Sequence, residues 1–256
     1  MKNLPNPIID QSTFSFETGR TTTLNPARYF FVIMSVLFVV LSLAGFVPVY
    51  HAAIEGTKKF PIHWSAHVHG GIMMLWLLIF TMQSVLAANG SIRFHRQLGL
   101  QSVGLGVLVW ISMLIASVRA LIGFKPPQDH FLFDVLIIQL YGIVLFGLFF
   151  TWGIVERRNA AVHKRLLFLT TLVLLQAPID RMFWLPGLHM ALYIRFFYLD
   201  ALLLALFLYD WITLKRIHHV TIMGTLSFVV VQIAVVMIWG SPSWHSFWFN
   251  LMNRFY

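Results

Sequence analysis

WSAHVHGGIMMLWLLIFTMQSVLAA, residues 64–88, contains no Asp, Glu, Lys or Arg. As a helix rising about 1.5 Å per residue, it reaches about 37 Å, enough to cross the ~30 Å hydrocarbon layer of a bilayer. Its polar residues are not scattered. His69, Trp76 and Gln83 recur every seven positions and share one face, while His67 falls on nearly the opposite one. The stretch therefore reads as a transmembrane helix with a polar edge turned toward other helices. Further apolar runs lie at about 29–49, 97–122, 131–155, 163–183, 190–213 and 220–239. Lipid offers the backbone no hydrogen-bond partner, so spans of this kind form helices. The fold class follows: all-α, a polytopic transmembrane helical bundle of about seven spans.

Composition agrees. Of 256 residues, 59% are hydrophobic and only 11% charged, with a mean hydropathy of +0.78, far from the balance of a soluble domain. Breakers separate the runs: Pro48 and Gly56, Asn89-Gly90, Pro126-Pro127, Asn159, Pro186-Gly187, and Gly240 with Pro242. Residues 1–28 are polar and lack the apolar core of a signal peptide. They are expected to be a cytoplasmic segment, followed by the transmembrane domain at 29–239. The tail at 240–256 places Trp244, Phe247, Trp248, Leu251 and Phe255 on one face, which suits an amphipathic helix lying in the bilayer interface.

The net charge of +9 does not point to nucleic acid. Lys and Arg fall between the apolar runs, and no aromatic-interleaved basic patch exists. Eleven of the 18 basic residues collect on the N-terminal side, among them Arg28, Arg93, Arg96, Arg157, Arg158, Lys164 and Arg165. That bias predicts N-terminus in and C-terminus out. With no cysteine in the chain, disulfides, thiolate chemistry and iron–sulfur clusters are excluded.

Ionisable residues within spans are costly and are functional candidates. Asp200 lies eleven residues into the sixth run, about 16 Å deep, too far from either end to reach water. It is a candidate catalytic or proton-handling carboxylate, as is Asp134. A second group gathers toward the outer surface: His67, His69, Arg119, Asp134, Asp180, Arg181, His189 and Arg195, delivered by five runs. They are expected to line an outward-facing pocket, with His67, His69, Arg119 and Arg181 as cofactor-binding candidates. On the inner side, His95, His163, His218 and His219 each begin a run beside Lys or Arg. A b haem needs two neutral imidazoles on different helices and cationic partners for its propionates. His95 with Arg96, and His163 with Lys164 and Arg165, are such sets. An outer pair would draw on His67 or His69 with His130 or His189. His69, His95 and His163 are the metal-ligand candidates. His63 and His67 are spaced H-x-x-x-H, but no E-x-x-H or H-x-x-E-H occurs to supply a carboxylate beside such a pair, which argues against a zinc hydrolase. In the third run Gly99, Ser102, Gly106, Met113 and Ser117 form a stripe suited to close helix packing.

His67 precedes His95 by 28 residues and Asp134 precedes His163 by 29, so the two crossings echo each other as a repeat could. HVHGGIMMLWLLIFTMQSVLAANGSIRFHRQLGL with ERRNAAVHKRLLFL resembles a widespread family of bacterial polytopic inner-membrane proteins. Its pattern is H-x-H-G, then H-R-x-L-G, then H-K-R-L. The placing of histidines at alternate helix ends is loosely similar to cytochrome b561-type and ferric-reductase-like haem membrane proteins.

These observations lead to a redox-type protein binding b haem or quinone. The alternatives are a transporter or permease using Asp200, a metal-dependent membrane enzyme using His67, His69, Asp134 and Asp200, or an accessory subunit of a membrane complex. The expected partners are the lipid bilayer, a quinone or small-molecule substrate, and a complex partner.

Overall fold

The computed structural model describes residues 26–57, 62–122, 130–188 and 190–254. The polar segment before Pro26, Lys58 and Lys59, Lys125 with Pro126-Pro127, His189 and Phe255 lie outside the described residues. Among the described residues nine helices follow in order: α1 Pro26–Ile54, α2 Trp64–Ala88, α3 Ile92–Ile122, α4 His130–Val155, α5 Ala160–Val173, α6 Gln176–Ile179, α7 Leu192–Leu214, α8 His219–Ile238 and α9 Pro242–Met252. Among the described residues there is no strand. Seven spans, with α5 and α6 together as the fifth, are long and apolar enough to cross a membrane. The chain is an integral membrane protein built as a seven-span helical bundle.

Two boundaries differ from the sequence reading. Pro48 was expected to end the first span, but α1 runs on to Ile54 with Pro48 inside it. Proline is more common within membrane-spanning helices than within soluble ones, so it need not end the span. The fifth span was expected as one helix over 163–183. It begins earlier, at Ala160, capped by the Asn159 side chain on the Val162 amide, and breaks at Leu174-Leu175 before the single turn of α6.

The break is packed, not exposed. The fifth span is the most buried of the seven, with Leu166, Phe168, Leu169, Leu172 and Leu175 wholly enclosed. Helix α5 packs against α4, α7 and α8, while α6 is crossed by α1. At that crossing a Cβ built on Gly45 would lie 2.3 Å from the Pro178 carbonyl oxygen. Only glycine lets the two backbones approach so closely. Around this centre, large apolar side chains such as Ile33, Leu78, Ile115, Leu204, Val230 and Met237 stay exposed. In water such a surface would be prohibitive. In a bilayer it is the lipid-facing coat.

Helices α1, α3, α5 and α8 begin at one end of the bundle, here called proximal. Helices α2, α4 and α7 begin at the other, the distal end, where α9 also lies.

Candidate functional site at the proximal end

The polar edge read from residues 64–88 is turned inward. His69 contacts the Ser112 hydroxyl on α3 at 3.0 Å. That hydroxyl already gives its proton to the Val109 carbonyl, so His69 donates through Nδ1. Trp76 donates from Nε1 to Thr171 Oγ1 on α5 at 3.2 Å, and Gln83 donates to Ser102 Oγ on α3. The expected small-residue stripe of α3 also meets its neighbours: Gly106 lies against the Phe150 ring, Gly99 against Gln83, and Met113 against Gly142.

At the proximal end, helices α1, α2, α3, α4, α5 and α7 surround a cavity of about 430 Å³. Its deep part is apolar, made by Trp76, Ile79, Phe80, Phe150 and Leu167. Its mouth is polar, made by Arg28, Gln83, His95, Ser102, His163, Lys164 and Tyr209. This is the combination of an apolar bed and a few polar groups found in ligand sites.

Two of the candidate histidines meet here. The rings of His95 on α3 and His163 on α5 stand 6.5 Å apart between centroids and nearly perpendicular, at 85°. Both are oriented through the backbone. His163 donates from Nδ1 to the Gly153 carbonyl at 2.7 Å, and His95 from Nδ1 to the Gln83 carbonyl at 3.3 Å. A donating Nδ1 fixes the tautomer and leaves Nε2 with a free lone pair, the arrangement that second-shell carbonyls give to metal-binding imidazoles. Beside them the Gln83 side-chain oxygen is buried with no hydrogen-bond partner among the described residues.

Arg165, expected beside His163 as a partner for an acidic ligand, is not available. It is buried at 1% exposure and turned away into an ion pair with Asp210 on α7, Nε to Oδ1 at 2.9 Å, with Nη2 on the same oxygen. The other carboxylate oxygen accepts from Thr221 Oγ1 at 2.6 Å and from the His218 amide at 3.0 Å. The pair thus ties the start of α5 to the end of α7 and the start of α8. At that start, burial and then the nearby Arg165 charge hold the His218 imidazole below its usual range. Asp210 was missed in the sequence because its partner stands 45 residues away and no spacing announces it. Arg28 and Tyr209, which line the mouth, were legible only as a topological charge and an interfacial aromatic.

The distal candidates make separate hydrogen bonds and ring contacts, although Arg181 lies within electrostatic reach of His69, and Asp180 within that of Arg181 and Arg195. His67 is exposed and lies against Tyr50. Arg119 donates to His63 Nε2 at 3.0 Å, joining α3 to the start of α2. Asp134 accepts from the Gly240 amide and from His245 Nε2, both at 2.8 Å, and so fastens α9 to α4. His130 faces His245 with centroids 5.0 Å apart. Arg181 lies over the Phe46 ring at 4.8 Å and donates to the Ala177 carbonyl. Asp180 accepts from Gln176 at 2.8 Å. Burial lifts its carboxyl to about 6, against the opposing pull of that hydrogen bond and of the Arg195 and Arg181 charges. Within α7, Asp200 accepts from Gln232 of α8 at 2.9 Å. The echoed pairs therefore part company: His95 and His163 come together, while His67 and Asp134 do not. Among the described residues no cluster of three or more His, Asp or Glu is arranged to hold a metal ion.

Comparison with protein-family models, with curated proteins and with solved structures returns no match.

Proposed function

We propose that this is a redox-type membrane protein that holds a b haem or a quinone in the proximal cavity, with His95 and His163 as its ligand-facing bases. One observation carries the reading. Two imidazoles from different helices line one largely apolar cavity, each tied through Nδ1 to a backbone carbonyl and free at Nε2. The donor set suits either group. His95 and His163 would be the residues that hold the iron of a haem, each offering a neutral imidazole nitrogen. A haem would supply one-electron chemistry, and a quinone would pair electrons with protons. For a quinone, His95, His163 and the buried Gln83 side-chain oxygen would be the groups offered to its polar ring substituents. The Lys and Arg bias supports the proximal end as the cytoplasmic one.

The test is the absorption spectrum of detergent-purified protein expressed with ample haem, oxidised and then dithionite-reduced, with quinone assayed in an organic extract. A Soret band and a sharpened α band, or a near-stoichiometric quinone, is expected. Absence of both overturns the proposal. A carrier is the second reading. The interrupted fifth span and the intramembrane Asp200 support it, since broken helices mark many transport sites.

A further inference from the structure

The mouth of the proximal cavity holds two cations, Arg28 and Lys164. Lys164 donates to the Tyr209 hydroxyl at 2.8 Å and lies over the Phe31 and Tyr209 rings at 5.3 and 5.0 Å. Those contacts hold the ammonium in place and use one of its three protons. Arg28 gives its Nε proton to the Ala88 carbonyl and keeps four N–H donors. Among the described residues no carboxylate lies within ion-pair distance of either. Arg165, by contrast, has Asp210. Arg28 is exposed and Lys164 half-buried, so both stay charged at the rim with donors still to offer an anion that enters the mouth. Below the mouth, α2 descends eleven residues from Ala87 to Trp76, about 16 Å of largely apolar wall.

We infer that the cavity selects an amphiphile with an anionic headgroup, carboxylate or phosphate, whose head is received by Arg28 and Lys164 and whose apolar body runs toward Trp76 and Phe150. The inference rests on the reading of this cavity as a ligand site, and it narrows the ligand's chemistry. A haem propionate and the head of an acidic lipid or fatty acid share that chemistry. An uncharged quinone lacks it.

The experiment uses the full chain in a non-ionic detergent. Binding of cis-parinaric acid is compared with that of its methyl ester by fluorescence, and binding of haemin with that of its dimethyl ester by the Soret shift. Wild type is expected to prefer the acid form about tenfold or more, the factor a charge-assisted hydrogen bond supplies. Arg28→Gln with Lys164→Gln should abolish the preference, and Lys164→Arg should retain it. A preference seen with haemin identifies a haem carboxylate as the source. A preference confined to parinaric acid identifies a lipid head, and with no Soret shift from either porphyrin it removes the haem reading while this inference stands. Equal binding of acid and ester in wild type, or a preference surviving in the double variant, overturns the inference, whether or not haem binds.

Discussion

Arg165 and Asp210 show how a residue's neighbours decide what it can do. Sequence places Arg165 beside His163 as a ligand group. The fold buries it at 1% exposure and commits it to Asp210. Removing one partner of a buried pair strands the other charge and costs about 3–5 kcal/mol. Asp210→Leu is therefore expected to lower the thermal midpoint sharply, and Arg165→Met added to it should recover part of the loss. Recovery is incomplete because Thr221 and the His218 amide lose their acceptor. A single variant as stable as wild type would contradict this. Asp180 gives a pH-dependent counterpart. Its carboxyl is lifted to about 6, above the ordinary value near 4. The fold thus favours its neutral form, so its contribution to stability is complete below about pH 4 and is lost as pH rises through 6. Asp180→Asn keeps an acceptor for Gln176 and should stabilise the protein at pH 8 by about 2–3 kcal/mol, with the gain vanishing toward pH 4. Thermal midpoints of both proteins across that range provide the check, and a gain independent of pH would be the wrong sign of cause.

Helices meet here through small residues and through pinned ends. At the α1–α6 crossing, Gly45→Ala places a methyl group against Pro178 backbone that cannot rotate away, so a loss of about 1–3 kcal/mol is expected from overpacking. Thermal unfolding in detergent measures it, and an unchanged midpoint would mean the crossing is looser than described. At the distal end Asp134 fastens α9, aided by Trp244 donating from Nε1 to the Phe133 carbonyl at 2.7 Å. Asp134→Ala is expected to speed chymotryptic cleavage within 240–254 several-fold while the spans remain protected. Spans were legible in sequence because apolar length is a one-dimensional signal. The break at Leu174-Leu175 was legible only through Pro178, which offers no N–H to the Leu174 carbonyl four residues back; its exact place was not, and the burial supplied by α1, α4 and α8 makes it tolerable. Pro48 misled because a residue that ends soluble helices is accepted within a membrane-spanning one, and α1 continues through it to Ile54.

In the whole molecule, polar residues that sequence could only assign to a level are sorted by tertiary packing. The distal group, expected around one outward pocket, is distributed over contacts that join α2 to α3, α9 to α4 and α6 to its own turn. The proximal histidines, which read singly as interfacial, converge with Gln83, Arg28 and Lys164 on one cavity. Sequence supplied the residue types and their end of the bundle. It could not supply the pairing, because His95 and His163 are 68 positions apart and meet only once α3, α4 and α5 are packed. The measurement closest to the central claim is the b haem and quinone content of wild type, purified side by side with His163→Ala of verified folding. A ligand near one per chain in wild type, reduced at least tenfold in the variant, is the expected result. A ligand bound equally by both proteins, or by neither, would contradict the assignment of this cavity.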